Sequence, residues 1–173
     1  MGYTTEFEGR FEFNKPVDAK LRKYVNNFKD TRRMKRDNEV IKEIYPDWKK
    51  KCLNGKLGKN GEFFVNNDGD FGQLRDGSII NYNCPPSTQP GLWCQWEITK
   101  DGKYLQWDGA EKFYNYIEWL RYLINNFFKP NGYVLNGAIN YQGESRDDFG
   151  VIQVIDNVIS PDETPTNGQN YYF

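Results

Sequence analysis

Apolar residues alternate with polar ones in several short segments and recur every three or four positions in two longer ones. The segment TEFEGRFEF (5–13) alternates phenylalanine with charged residues, which predicts a strand with one buried face. In KPVDAKLRKYVNNFKD (15–30) the apolar residues fall at helical spacing, and Pro16 stands in the first turn, where a missing N–H costs nothing. This part of the chain is predicted to be a strand followed by an amphipathic helix.

A hairpin and a second helix are predicted in the middle of the chain. Asp101 and Gly102 lie between two alternating runs, which is typical of a two-residue type I′ turn. Counting outward from this turn pairs Trp96 with Trp107 and places both indoles on one face. The following segment, DGAEKFYNYIEWLRYLINNFFKPNG, predicts a long helix with Asp108 in a capping box at its start. The tryptophan-rich stretch is therefore interpreted as a hairpin packed on a helix.

The remaining pattern predicts one α+β domain over 1–159. Alternating segments at 133–144 and 149–159 predict two more strands, and 160–173 is predicted to be a disordered tail. The element order matches a ferredoxin-like β-α-β-β-α-β arrangement, an antiparallel sheet with two main helices on one face, plus an extra C-terminal strand. Residues 38–90 are predicted to be an irregular insertion and a long loop, because Gly, Asn, Lys and Pro interrupt every period.

Composition excludes several kinds of chemistry. The chain has no histidine, which excludes Ser-His-Asp and Cys-His catalysis and most zinc and iron sites. Its three cysteines show no CxxC spacing, so free thiols in a reducing compartment are expected. No apolar run reaches the roughly 20 residues of a membrane span, and the N-terminus lacks a secretory pattern. We therefore expect a cytoplasmic protein with no membrane contact, no metal and no cofactor.

Charge is distributed unevenly along the chain. Residues 1–60 contain 16 Lys and Arg against 9 Asp and Glu, whereas residues 61–173 contain 7 against 15. A basic segment can contact phosphates, but the acidic remainder would repel a polyanion, and no RNA-binding aromatic signature is present. Nucleic acid is thus not the expected partner, and a small anionic ligand or a protein is.

The long loop at 71–93 combines aromatic rings with arginine and amide side chains, and two arginines precede it in the basic segment. Such a set can stack on a ligand or protein and form hydrogen bonds with it. The predicted binding residues are Arg32, Arg33, Phe71, Gln73, Arg75, Tyr82 and Trp93. The alternative interpretation is that the loop only packs over the edge of the sheet.

Two other functions stay open. Carboxylate pairs hydrolyse glycosides when they are held about 5–9 Å apart. Glu144, at the end of a predicted strand, and Asp108 are the candidate catalytic residues of such a hydrolase. The second possibility is a structural or self-associating protein, and the sequence leaves the oligomeric state open.

Five strings carry a family resemblance: TRRMKRD (31–37), GDFGQ (69–73), YNCPPSTQPGLWCQW (82–96), WDGAEKFYNYIEWLRYLI (107–124) and LNGAINYQGESRDDFGVIQVIDNVI (135–159). They resemble a family of small acidic proteins found in actinobacterial and phage or prophage genomes. The resemblance implies no activity or catalytic residue. It does imply that 38–61 is a peripheral insertion and that the chain is a mobile-element accessory protein. We therefore expect a non-enzymatic binding protein that binds a small, nucleotide-like anion or a host protein and interferes with a host defence.

Overall fold

A computed structural model describes residues 2–165. Its strands are β1 (Thr5–Phe13), β2 (Lys35–Arg36), β3 (Ile79–Asn81), β4 (Trp96–Ile98), β5 (Tyr104–Trp107), β6 (Leu135–Gly143), β7 (Phe149–Ile155) and β8 (Val158–Ser160). Its α-helices are α1 (Ala19–Lys29), α2 (Asn38–Ile44) and α3 (Tyr116–Leu123), and a π-helical turn (Ile124–Phe128) continues α3. Within the described range, six strands form one antiparallel sheet in the order β4-β5-β1-β6-β7-β8, and β2 and β3 form a separate ribbon. The predicted α+β class with a mainly antiparallel sheet is confirmed.

A large aromatic core lies between the sheet and the two helices α1 and α3. The alternation predicted for β1 buries Phe11 and Phe13, and the helical spacing of α1 buries one face that ends at Phe28. The Phe28 ring centroid lies 5.9 Å from that of Trp119 and 5.3 Å from that of Phe127. Each fully buried ring of this kind contributes about 1.5–3 kcal/mol, so aromatic burial accounts for much of the stability.

The predicted hairpin has the correct register and a different turn. Trp96 pairs with Trp107, and both indoles contact the Phe7 ring, at centroid distances of 5.5 and 5.4 Å, so they lie on the same face. Of the two predicted turn residues, only Gly102 has a positive φ, 76°, whereas a type I′ turn needs two. The Gly102 N–H donates to the Thr99 carbonyl in a four-residue turn, and the Thr99 N–H donates to the Tyr104 carbonyl, which closes the longer loop around it.

The second helix begins later than predicted. Asp108 does not cap it, because its carboxylate accepts the N–H of Ala110 in a local turn. Gly109 and Lys112 have φ values of 84° and 61°, which a right-handed helix does not allow. Residues 108–115 are therefore irregular, and α3 starts at Tyr116.

The strand predicted at 149–159 is two strands. Asp156 and Asn157 both have positive φ, 47° and 69°, and reverse the chain between β7 and β8. Asn and Asp adopt this conformation more readily than other non-glycine residues, so the local sequence explains the turn.

The segment predicted as a peripheral insertion has a small core of its own. Within 38–64, α2 and short 3₁₀ turns bury Ile41, Cys52, Leu57 and Phe64 together. Asn38 connects two parts of it, since its amide donates to the Gly58 carbonyl and its oxygen accepts the Gly61 N–H. The three cysteines of the chain are free thiols.

Residues 160–165, which belong to the predicted disordered tail, are held by contacts with the rest of the domain. Ser160 ends β8, and buried Thr164 donates its hydroxyl to the Glu118 carboxylate while accepting the N–H of Ile117. The rest of that prediction, 166–173, lies outside the described residues. No helix within 2–165 has the length and apolar character needed to cross a membrane.

Candidate functional site

A cleft of about 550 Å³ opens at the C-terminal end of α1. Its walls are the end of α1, the turn that carries Phe71, the segment before β4 and the irregular segment 108–114. Phe71, Trp93 and Tyr114 contribute aromatic surface to it. Ligand pockets in proteins typically measure about 300–1,000 Å³, so the cleft is large enough to bind a ligand or a peptide segment.

One wall of the cleft is held by side chains that bond to the backbone. The Trp107 indole N–H donates to the Ala110 carbonyl at 3.0 Å, and the Gln95 amide donates to the Glu111 carbonyl at 3.0 Å. These bonds replace the helical hydrogen bonds that 108–115 cannot form. The wall is therefore fixed although it has no regular secondary structure.

A partly buried ion-pair cluster around Lys29 lies at the cleft. The Lys29 ammonium lies 2.7 Å from Asp30, 3.2 Å from Asp108 and 3.7 Å from Glu97. Burial by itself lowers the pKa of Lys29, but the hydrogen bond to Asp30 and the charge of Asp108 outweigh it and raise the pKa. Lys29 therefore stays charged, and its charge is fully compensated by its neighbours.

Two residues of the cleft have unusual backbone conformations. Phe71 and Lys112 have φ values of 54° and 61°. Within 2–165, the other non-glycine residues with positive φ are all Asn or Asp, whose short polar side chains tolerate it. A left-handed conformation costs other residues about 1–2 kcal/mol each. Phe71 is also 63% exposed, so its ring recovers little of that cost by burial.

Most of the predicted binding residues lie together at the rim of the cleft. The guanidinium carbons of Arg32 and Arg75 each lie 4.2 Å from the centroid of the Tyr82 ring, and the Tyr82 hydroxyl donates to Gln73 at 3.3 Å. The Arg32 guanidinium also lies 6.0 Å from the Trp93 ring.

The backbone joins this rim to the cleft. The Arg32 N–H donates to the Phe71 carbonyl at 3.0 Å, and the Arg32 side chain donates to the Tyr82 carbonyl at 3.1 Å. Burial lowers the pKa of Arg32. The guanidinium still stays protonated at neutral pH, as arginine side chains do in proteins. We call Arg32, Gln73, Arg75 and Tyr82 the arginine rim.

Arg33 does not belong to this rim, which corrects the prediction that it contacts a ligand. Its side chain is 2% exposed, and Nη2 donates to the carbonyls of Glu62 and Phe64, at 2.9 Å each. Nε donates to the Gln89 amide oxygen at 3.4 Å. Burial lowers the pKa of Arg33, and the surrounding oxygens keep the guanidinium satisfied. A side chain held in this way supports the loop from inside.

The two candidate catalytic carboxylates are not brought together. Asp108 lines the cleft in an ion pair with Lys29, whereas Glu144 is exposed and accepts the Thr4 N–H at 2.7 Å. Glu144 is not among the residues that line the cleft. The described part of the chain therefore does not place these two acids across one cavity, as glycoside hydrolysis requires.

Several residues of the cleft were not predicted from the sequence. Lys29, Lys112 and Tyr114 were assigned to helices, in α1 and in the overlong second helix. Gly109 and Asn115, two turn-forming residues near the ends of 108–115, were the available signal that this segment is irregular. Nothing in the local pattern marks Lys29, because only the folded hairpin brings Asp108 to it.

In the part of the chain that the structure describes, no group of three or more His, Cys, Asp or Glu side chains is placed to hold a metal ion. No family model, no curated protein and no solved structure matches the chain. The resemblance to a family of small acidic proteins thus stays a prediction, and function has to be inferred from the geometry.

Proposed function

We propose that the chain is a non-enzymatic binding protein whose cleft takes an exposed segment of a partner protein. The observation that supports this most strongly is Phe71, an exposed aromatic ring held at a left-handed φ of 54° beside Trp93. Strained, exposed positions of this kind concentrate at functional sites. A partner that covers the ring would return free energy that the isolated chain does not recover.

The chemistry of the lining indicates what the partner presents. Aromatic residues and arginine are enriched at protein interfaces, and both are present in the cleft and the arginine rim. Three carboxylates, Asp30, Asp108 and Glu111, face two ammonium groups, Lys29 and Lys112. The partner segment is therefore basic, with an aromatic or aliphatic side chain that enters the cleft.

This balance of charge disfavours the anionic alternative at this site. Inside the cleft, a nucleotide-like ligand would lie among three carboxylates and two ammonium groups, whereas the positive charges of Arg32 and Arg75 lie on the rim, around the Tyr82 ring. Carboxylate-based hydrolysis by Glu144 and Asp108 is disfavoured as well, since Glu144 does not line the cleft and Asp108 forms an ion pair with Lys29. The role in host defence and the cytoplasmic location stay predictions.

Self-association is a second candidate function, and an exposed apolar patch favours it. Four side chains on β7 and β8 are more than half exposed: Phe149, Val151, Ile155 and Val158. Patches of this kind often mark contacts between proteins. Light scattering of the wild type and of Val151→Lys tests it, and a monomeric wild type at high concentration rules it out.

For the fold, we infer the ferredoxin-like β-α-β-β-α-β arrangement for the central part of the domain. In its support, α1 follows β1 and, with the segment 30–95, leads to β4, α3 lies between β5 and β6 in the chain, and β1 pairs with both β5 and β6. The strands β7 and β8 and the β2–β3 ribbon are then additions to it.

A library of short random peptides, selected for binding to the wild-type protein, tests the cleft. We expect the enriched peptides to be basic with an apolar anchor, and Phe71→Ala to weaken their binding about 30-fold, the effect of removing a hot-spot side chain. Phe149→Ala is the matched control, because Phe149 is 65% exposed and lies on β7. No enrichment, acidic peptides, or equal losses in the two variants would each contradict the proposal.

A further inference from the structure

A second groove, of about 370 Å³, lies between α1 and the residues around the turn Trp48–Lys51. Lys20 and Lys23 project into it from successive turns of one face of α1, and Lys50 and Lys51 line the opposite wall. Asp47 is the one carboxylate in this lining. We call these four lysines and the space between them the lysine groove.

The charges of the lysine groove are left largely uncompensated. Within residues 2–165, Lys20, Lys23 and Lys50 form no ion pair, and Lys51 lies 3.2 Å from the Asp68 carboxylate. The lysine of the cleft is different, since three carboxylates surround Lys29. Like charges that converge on a concave surface repel one another and raise the local concentration of anions. The groove is thus arranged for a negatively charged occupant.

The base of the groove is apolar and fixed. Tyr24, Leu53 and Val65 contribute to it, beside the amides of Asn27 and Asn67. The Tyr24 hydroxyl donates to the Phe63 carbonyl at 2.8 Å, which fixes the ring. Burial raises the pKa of Tyr24 well above its ordinary range, so the ring stays neutral and adds no repulsion for an anion.

The donor set indicates phosphate rather than carboxylate. The groove offers lysines and no arginine, and an ammonium is a compact point charge that binds phosphate oxygens without a planar, two-pronged geometry. Four lysines stand against two carboxylates, Asp47 in the lining and Asp68 on Lys51, and the remaining positive charge matches a ligand with two or more negative charges. Residues 61–173 carry 15 acidic against 7 basic side chains. This negative charge would repel a long polyanion that extends beyond the groove, so a small anion is the favoured ligand.

We propose that the lysine groove binds a small ligand that carries two or more linked phosphate groups. This site is separate from the cleft of the proposed function, and the two can be tested independently. The lysines hold the phosphates, and the apolar base accommodates an organic group attached to them.

Calorimetric titration with inorganic tripolyphosphate at low salt tests this directly. In Lys20→Gln/Lys23→Gln, each lost charge-assisted hydrogen bond should weaken binding about tenfold. The matched control is Lys100→Gln/Lys103→Gln, which removes the same charge from exposed positions in the β4–β5 loop and should stay within about twofold of the wild type. Lys50→Gln, on the opposite wall, provides a second test if the helix variant fails to fold.

Three results would overturn the proposal. The first is a wild type that does not bind tripolyphosphate. The second is an equal loss in the control, which would mean that net charge alone attracts the anion. The third is a single-stranded oligonucleotide that displaces tripolyphosphate at a lower phosphate concentration, because the lysines would then belong to a nucleic-acid surface.

Discussion

The sheet–helix core and the segment 31–93 are held together by different interactions. In the core, buried rings pack on one another, as Phe11 does on Trp96 and Phe28 on Trp119, and stability comes from removing apolar surface from water. In 31–93, buried Arg33 and Arg36 bond to backbone carbonyls, to the Asp76 carboxylate and to the Ser78 hydroxyl.

The comparison shows how a domain can fix a long stretch without regular structure. Buried polar groups replace the hydrogen bonds that a helix or sheet would supply, and each must find a partner. Such a segment is specific in shape but sensitive to the loss of any one member of its network. The cleft and the arginine rim depend on this sensitive part.

The largest expected effect is the loss of the Arg33 contacts. Arg33→Met removes the charged donor of the Phe64 carbonyl and one of the two side-chain donors of the Glu62 carbonyl, which keeps the Gln89 amide. Because both lost bonds come from a charged group, we expect the free energy of unfolding to fall by about 3–5 kcal/mol. That equals the cost of truncating a buried core ring. Arg32→Met, on the half-buried neighbour, should cost under about 1.5 kcal/mol in the same urea titration. Similar losses in both variants would remove the distinction between the two arginines.

A smaller effect on the free energy of unfolding is expected at Asp76, and it depends on pH. Burial raises the pKa of this carboxyl, but hydrogen bonds from Ser78, Tyr45 and Arg36 outweigh it and lower the pKa below its ordinary 3.8. The stabilisation by these bonds is therefore present above pH 3.8 and is lost as the pH falls through the lower folded-state pKa.

Asp76→Asn should cost about 1–3 kcal/mol at neutral pH and reduce the further loss of stability in acid. Urea titrations between pH 7 and about pH 3 measure both effects. Asp68→Asn is the control, since this exposed carboxylate pairs with Lys51 and contributes under about 1 kcal/mol. If Asp76→Asn loses as much stability in acid as the wild type does, the acid-dependent loss comes from other carboxylates.

The smallest expected effect has the opposite sign. Phe71→Gly relieves the left-handed strain and removes a ring that is mostly in water, so we expect the free energy of unfolding to rise by about 1 kcal/mol. Phe149→Gly, equally exposed but within β7, should lower it by a similar amount. Thermal unfolding of the wild type and the two variants measures both changes. A destabilised Phe71→Gly variant would mean that the Phe71 ring supports the fold.

The sequence predicted the elements whose side chains repeat with a local period. The alternation in β1 and the register that pairs Trp96 with Trp107 follow from near neighbours in the chain, and both are confirmed. The α1 helix is confirmed for the same reason.

The parts that depend on distant contacts could not be predicted. The β2–β3 ribbon joins residues more than 40 positions apart, and its two-residue strand β2 is too short to show a period. Aromatic, arginine and amide content was enough to select all four residues of the arginine rim, whose binding role stays a prediction. The same content did not separate Arg32 from Arg33, because only the folded chain shows which of them reaches the carbonyls of 61–64.

Arg33 bonds mainly to main-chain oxygens, and every residue type supplies such an oxygen. Substitution of the residues that contribute the carbonyls would therefore keep this contact. Substitution of Arg33 would remove it. Among diverged relatives we then expect arginine to be invariant at position 33 and the residues at 61–64 to vary. Position 33 would show no covariation with them.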